Sequence, residues 1–141
     1  MEVTDFEAEV RFAFGPVAAR LGLQGPVNTS LSTTELRLRY RSDQLGVELA
    51  FELIGFFVFM LLCREAEDAT LEGYEDVRGR RQKVHLQDAL RELNVDVDRD
   101  TKALRILAGD YRNAASMIDI LAQALETNWR TILTNRERLV G

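Results

Sequence analysis

The sequence holds few of the side chains on which small catalytic and metal-binding sites depend. It has one cysteine, Cys63, and one histidine, His85, among 141 residues. A single cysteine cannot form an internal disulfide, and a single histidine cannot supply a histidine-based metal cluster or a catalytic pair of histidines. We therefore predict a protein of a reducing, cytoplasmic compartment with no catalytic residue, no metal site and no cofactor.

Basic charge and long apolar runs are also scarce. The formal net charge of −5 argues against general nucleic-acid binding, which needs a basic face. The most apolar stretch, residues 53–63, lies between Glu52 and Arg64 and is about half as long as the roughly 20 residues of a membrane-spanning helix. Its Phe and Val content favours strands. The acidic first ten residues do not resemble a signal peptide. We expect no association with a membrane.

The pattern along the chain predicts a single α+β domain covering residues 1–141. Apolar residues at helical spacing predict an N-terminal helix over residues 4–21. Alternating apolar and polar residues over 35–53 predict strands. The expected architecture is an N-terminal helix, an antiparallel β-meander of three to four strands, and C-terminal helices packed on the sheet.

The two central strands predict their own register. If the turn has its tip at Ser42-Asp43, Leu38 lies opposite Val47, and Arg37 lies opposite Glu48. The second pair joins opposite charges across the strands, which is favourable.

The following strand, residues 56–64, is apolar on both faces. Phe57, Phe59 and Leu61 share one face, and the intervening residues share the other. A strand of this kind is covered on both sides or exposes an apolar surface. Small residues on the neighbouring strand leave room for the phenyl rings or for something packed on them. Cys63, at the end of this strand, is predicted to be a core residue.

The last helix carries a heptad stripe. Its positions are Tyr111, Ile118, Leu125, Ile132 and Leu139, with Trp129 on the flank. A continuous helix of this length measures about 45 Å, whereas a domain of this size is about 30 Å across. The helix must therefore break near residues 134–135 or project. The candidate interaction residues are Phe57, Phe59, Leu61, Tyr111, Trp129, Ile132 and Leu139.

The sign of the charge reverses abruptly between residues 65–77, which are acidic, and residues 78–85, which are basic. The reversal predicts an exposed connection. Its basic patch consists of Arg78, Arg80, Arg81 and Lys83. We predict that this patch is solvated and matched by the neighbouring acids. The alternative, nucleic-acid binding by residues 78–83, is weakened because no aromatic residue interleaves with the charges. His85 is predicted to be solvated or to cap the next helix.

The stretches "ELRLRYRSDQLGVELAF" and "IDILAQALETNWRTIL" resemble those of small bacterial α+β proteins, some of which are toxin-neutralising immunity proteins. The strand that is apolar on both faces and the long amphipathic helix predict a non-enzymatic protein-interaction module of bacterial type. The resemblance implies an immunity protein as one form of it, and an adaptor/chaperone-like protein is another. Such a module acts by burying a surface against another protein chain, either a second copy in a homodimer or a bacterial partner. The alternative is a small-ligand-binding protein or enzyme with a pocket between sheet and helices.

Overall fold

The computed structural model describes residues 3–30, 32–65 and 73–141 and shows the predicted α+β architecture. Within these ranges the helices are α1 (Val3–Ala13), α2 (Gly15–Arg20), α3 (Leu86–Glu92), α4 (Asp98–Leu107), α5 (Ala114–Thr134) and α6 (Arg136–Val140), with a 3₁₀ turn at Tyr111–Asn113. The strands are β1 (Gln24–Asn28), β2 (Glu35–Arg41), β3 (Gly46–Glu52), β4 (Phe57–Cys63) and β5 (Lys83–His85). Part of the predicted acidic segment, residues 66–72, lies outside the described residues.

The strands form one antiparallel sheet in chain order, β1-β2-β3-β4-β5. The predicted meander is therefore confirmed, with one strand more than the expected three to four. The sequence does not indicate β1, because Gly25 and Pro26 are typical of a turn. Within a sheet, proline is tolerated only in an edge strand or at a bulge. The sequence does not indicate β5 either, because its three residues are too few to show alternation before α3 begins.

The register of the β2–β3 hairpin differs from the predicted one by two residues. Leu38 lies opposite Leu49, and Arg39, not Arg37, lies opposite Glu48. The Ser42 amide donates to the Leu45 carbonyl at 3.2 Å, and the Ser42 hydroxyl donates to the same oxygen at 2.8 Å. These bonds move the tip to residues 43–44. A shift of two residues leaves every side chain on its predicted face.

One face of the sheet packs against α1 and α5 and forms the core. The Phe6 ring of α1 lies 5.4 Å from the Phe51 ring of β3. The Phe14 ring meets the Tyr40 ring edge-on at 5.0 Å. All four residues are buried, as are the inward residues of β4. The helices of the chain itself therefore cover this face.

The C-terminal helix breaks near residues 134–135, as its predicted length requires. α5 ends at Thr134 and α6 begins at Arg136, so α5 is about 31 Å long at 1.5 Å per residue. Four heptad positions are buried in the core: Ile118, Leu125, Ile132 and Leu139. Ile132 and Leu139 are therefore wrong as interaction candidates, because the break folds the last turns back onto the domain. Trp129 packs partly buried against the core, and Tyr111 remains half exposed.

Candidate functional site

The outer face is the sheet face opposite the helical core. Strand alternation places these side chains on it: Glu35, Arg37, Arg39 and Arg41 from β2; Gly46, Glu48, Ala50 and Glu52 from β3; Phe57, Phe59, Leu61 and Cys63 from β4; and Lys83 and His85 from β5. The face has a buried ionic half and a half-exposed aromatic half. Leu61 is fully buried between them, so it is wrong as an interaction candidate.

The ionic half is built around Glu48, whose side chain is 0% exposed. Lys83 Nζ donates to Glu48 Oε1 at 2.7 Å, and Thr29 Oγ1 donates to Glu48 Oε2 at 2.9 Å. The Lys83 side chain is only 1% exposed. Its assignment to an exposed basic patch is therefore wrong, because β5 turns this side chain onto a buried carboxylate. Buried charges persist only when paired and hydrogen-bonded.

A second buried carboxylate extends the ionic half. Arg39 Nη2 donates to Glu65 Oε1, and Arg41 Nη2 donates to Glu65 Oε2, each at 2.8 Å. Both Arg39 and Glu65 are buried at the side chain, whereas Arg41 is exposed. Gly46 makes this packing possible, because a Cβ there would lie 3.2 Å from Arg39 Nη2 and would overlap the Glu65 carboxylate. The sequence predicts that small residues in β3 leave room for phenyl rings or for other groups. At Gly46 this room is occupied by the Arg39 guanidinium and the Glu65 carboxylate.

The rest of the basic run is exposed but matched by acids. Arg80 Nε lies 3.1 Å from Asp76 Oδ2, and Arg81 Nη1 lies 2.7 Å from Glu92 Oε1. The backbone amide of Arg80, followed by that of Arg78, lowers the pKa of Asp76. The predicted match with the neighbouring acids is therefore confirmed for Arg80, whereas Arg81 pairs with Glu92 of α3, outside the acidic segment.

Cys63 lies inside the ionic half. Its sulfur is 3.7 Å from Glu48 Oε1, and the residue is fully buried, which confirms the predicted core position. Burial raises the pKa of the Cys63 thiol to about 12, and the Glu48 carboxylate acts in the same direction. The thiol is therefore protonated at neutral pH and is a poor nucleophile.

We expect native Cys63 to resist alkylation. A pKa of about 12 instead of 9.0 means about a thousandfold less thiolate at neutral pH, since each pKa unit is a factor of ten. Iodoacetamide labelling at pH 7.5, followed by mass spectrometry, should be far slower for the native protein than for the protein in urea. Equal rates in the two states would contradict the buried position.

The aromatic half is a ladder of four rings from Phe57, Phe59, His85 and Tyr74. Phe57 and Phe59 stack at 6.3 Å between centroids. Phe59 lies 5.1 Å from His85, and His85 stacks on Tyr74 at 5.6 Å. The first three rings are half-buried, and Tyr74 is 43% exposed. This ring ladder is a continuous, partly exposed aromatic surface on two strands and a loop.

The guanidinium of Arg37 lies 6.0 Å from the centre of the Phe59 ring. It crosses β3 at Ala50, which lies between Arg37 and Phe59 in the register. The same side chain is bonded to Glu35 and lies 3.4 Å from Glu48. Arg37 therefore connects the ring ladder to the ionic half and keeps one side of the ladder polar.

His85 lies at the N-cap position of α3, but its side chain makes no capping hydrogen bond. Its Nε2 lies 3.1 Å from the Tyr74 hydroxyl, and the ring is half-buried between Phe59 and Tyr74. This burial lowers the pKa of His85 below its usual 6.5, while Asp88 acts in the opposite direction. The neutral imidazole is therefore the form that the ladder favours.

We expect the free energy of unfolding to decrease as the pH falls below about 6.5. Unfolded His85 then takes up a proton more readily than folded His85, with a limiting slope of about 1.4 kcal/mol per pH unit. The contribution of neutral His85 to the free energy of unfolding is therefore complete above pH 6.5 and is lost as the pH falls. Urea titrations between pH 7.5 and 5 should show a shallower decrease for His85→Gln. An identical decrease in the two proteins would contradict this assignment.

β4 extends beyond the end of β5. β5 pairs only with residues 61–63, so residues 57–60 have no described strand on that side. A cavity of about 120 Å³ lies there, called the edge cavity below. It is lined by Phe57, Val58, Phe59, Met60, His85, Gln87, Asp88, Leu104 and Leu121. Because its lining includes side chains from both faces of β4, the cavity lies at the strand edge itself.

Among residues 3–30, 32–65 and 73–141, no helix is long and apolar enough to cross a membrane. The same residues include no group of three or more His, Cys, Asp or Glu side chains that could hold a metal ion. No protein-family model, curated protein or solved structure matches this chain.

Proposed function

We propose that the protein is a protein-binding module that acts by burying its ring ladder against another chain. The observation that carries the proposal is the ladder itself, with four neighbouring rings left partly exposed on a hydrogen-bonded sheet. Burying a fully exposed phenyl ring contributes roughly 2 kcal/mol, and Phe57 and Phe59, which are already half-buried, can each contribute a part of this when a partner covers them. Because β4 and β5 fix three of the rings, little side-chain freedom is lost when a partner covers them.

The composition of the ladder agrees with protein binding. Aromatic residues and arginine are enriched at the centres of protein interfaces, where a few of them provide most of the binding energy. Here Arg37 lies beside Phe59, and Tyr74 offers a hydroxyl at the exposed end. With a net charge of −5, the chain is suited to a basic partner. An immunity protein facing a basic toxin is one form of this proposal, and an adaptor is another.

The two alternative functions fit the geometry less well. Pockets for small organic ligands usually measure about 300–1,000 Å³ and are mostly apolar. The edge cavity measures about 120 Å³, and two larger hollows of about 770 and 390 Å³ are lined mostly by polar and charged side chains. Nucleic-acid binding needs a basic surface. The basic run does not provide one, because Lys83 is buried on Glu48 while Arg80 and Arg81 face acids.

The test is affinity purification from the native cells with two matched variants. Phe59→Glu places a charge in the ring ladder, and Phe12→Glu places the same charge on α1, where Phe12 is 81% exposed. We expect Phe59→Glu to lose the partner and Phe12→Glu to retain it. Light scattering on each purified protein distinguishes a second copy from a different chain. Retention of the partner by both variants would contradict the proposal.

A further inference from the structure

Carboxylates lie beside the ring ladder at its Phe57 end. The register places Glu52 between Phe57 and Glu35, and both acids are partly exposed. The guanidinium of Arg37 is bonded to Glu35 and also lies 3.4 Å from the buried Glu48. The cation at this end is therefore shared between two acids, and Glu52 adds further negative charge beside the phenyl ring.

A hollow of about 390 Å³ lies at the Tyr74 end of the ladder. Its charged lining residues are Glu75, Asp88, Glu92, Arg81 and Lys83. The two bases are already engaged, because Arg81 pairs with Glu92 and Lys83 is buried on a carboxylate of the sheet. Asp88 is 58% exposed and pairs at 3.1 Å with Arg91, which is also exposed, and such surface pairs contribute little. Glu75 and Asp88 therefore make this end acidic as well.

The ladder presents rings to a partner and no backbone groups. Val58 and Met60 of β4 are 0% and 1% exposed, so their backbone groups are covered and a partner cannot pair a strand with them. A segment that covers the rings has to pair its own backbone groups, since buried unpaired groups are costly. An α-helix does this along its whole length, and helices commonly cover the face of a sheet.

The length of the ladder sets the length of such a helix. Successive ring centroids are 6.3, 5.1 and 5.6 Å apart, so the four rings span at most about 17 Å, which is about three turns of α-helix at 5.4 Å each. Apolar residues at helical spacing form one stripe over this distance. Residues one turn beyond either end of the stripe then lie next to the carboxylates at the two ends of the ladder.

Resting on the proposed function, we infer that the ring ladder receives a short amphipathic helix of a partner protein, with an apolar stripe on the rings and lysine or arginine residues at both ends of the stripe. Bases at one end face Glu35 and Glu52, and those at the other end enter the hollow beside Glu75 and Asp88. A cation in the hollow is also attracted by the Tyr74 ring. Burial of the apolar stripe provides the affinity, and the charges at both ends select a basic helix over an acidic one.

Selection from a displayed peptide library provides the test, with the folded protein as the target. Each peptide has about 18 residues, or five turns of helix, with leucine at four positions on one stripe and with both terminal turns randomised among lysine, glutamate and serine. We expect enrichment of lysine at both terminal turns. In fluorescence anisotropy, the selected peptide should bind at least tenfold more tightly than its charge-reversed form. Phe59→Glu should bind it at least tenfold more weakly, and Phe12→Glu, at an 81% exposed position of α1, should bind it as the unchanged protein does.

Two further variants locate the ends of the helix. Glu52→Gln neutralises one end of the ladder, and the double variant Glu75→Gln/Asp88→Asn neutralises the other, with circular dichroism as the check on folding. Each should lower the preference for lysine at one terminal turn of the peptide, and the two should act at opposite turns.

Three results would overturn the inference: no peptide selected, terminal turns without a preference for lysine, or equal binding by Phe59→Glu. If Phe59→Glu still loses the partner from native cells in that case, the proposed function stands with a partner of different chemistry. If Phe59→Glu retains that partner as well, both proposals fail.

Discussion

Replacing Lys83 by methionine is expected to lower the free energy of unfolding by about 3–5 kcal/mol, because it leaves a buried carboxylate without its main counter-charge. Lys83 and Glu48 are 1% and 0% exposed at the side chain, with 2.7 Å between Nζ and Oε1. Thr29 and Arg37 remain close to Glu48, but neither replaces the short bond from Lys83. Urea unfolding followed by circular dichroism measures the difference.

The exposed pair Arg20–Glu126 is the matched control. It is a bidentate ion pair, with Nε–Oε2 and Nη2–Oε1 distances of 2.6 and 2.9 Å, but its side chains are 58% and 34% exposed. Arg20→Met should therefore change stability far less than Lys83→Met, because exposed ion pairs contribute little. The double variant Lys83→Met/Glu48→Leu should recover much of the loss, because a buried ion pair can be replaced by apolar residues. A loss below 1 kcal/mol for Lys83→Met would show that this pair is not buried.

Replacing Ile132 by alanine is expected to cost about 2–5 kcal/mol of stability, because it leaves a cavity under α5. Ile132 is fully buried, although the heptad stripe that contains it is equally typical of an interface between two chains. The two interpretations differ in one measurement. A core residue gives a stability loss that is independent of protein concentration, whereas an interface residue gives a loss that changes with concentration.

Ile106→Ala is the control for this experiment. Ile106 is the same residue type on a neighbouring helix, but it is 73% exposed. Its replacement should change stability by no more than about 0.5 kcal/mol. Similar losses at positions 132 and 106, or a concentration-dependent loss at position 132, would contradict the intramolecular packing of the C-terminal helix.

Most of the fold follows from local patterns. Alternation in β2 and β3 assigned each residue to its face, and the length of the last helix required the break that occurs at Asn135. The hairpin register did not follow, because the Ser42 hydroxyl moves the tip by one residue. The heptad stripe does not show whether it packs in the core or against another chain, since both uses have the same spacing.

The candidate site could be predicted only in part. The apolar outer positions of β4 indicated Phe57 and Phe59. Nothing in the sequence placed His85 and Tyr74 beside them, because their positions depend on the short β5 and on the loop that precedes it. The charge pattern places Lys83 in a solvated run because such patterns are local, whereas its partner Glu48 is 35 residues away. The edge cavity depends on where β5 ends, which alternation over three residues cannot show.

Site-specific photo-crosslinking in the native cells tests the central claim most directly. A photoreactive phenylalanine analogue at position 57 lies in the ring ladder, and the same analogue at position 12 lies on the exposed side of α1. The binding role of the ladder predicts a discrete cross-linked product from position 57, identified by mass spectrometry, and none from position 12. A partner captured from position 12 and not from position 57 would contradict it and would move the binding surface to the helical side of the protein.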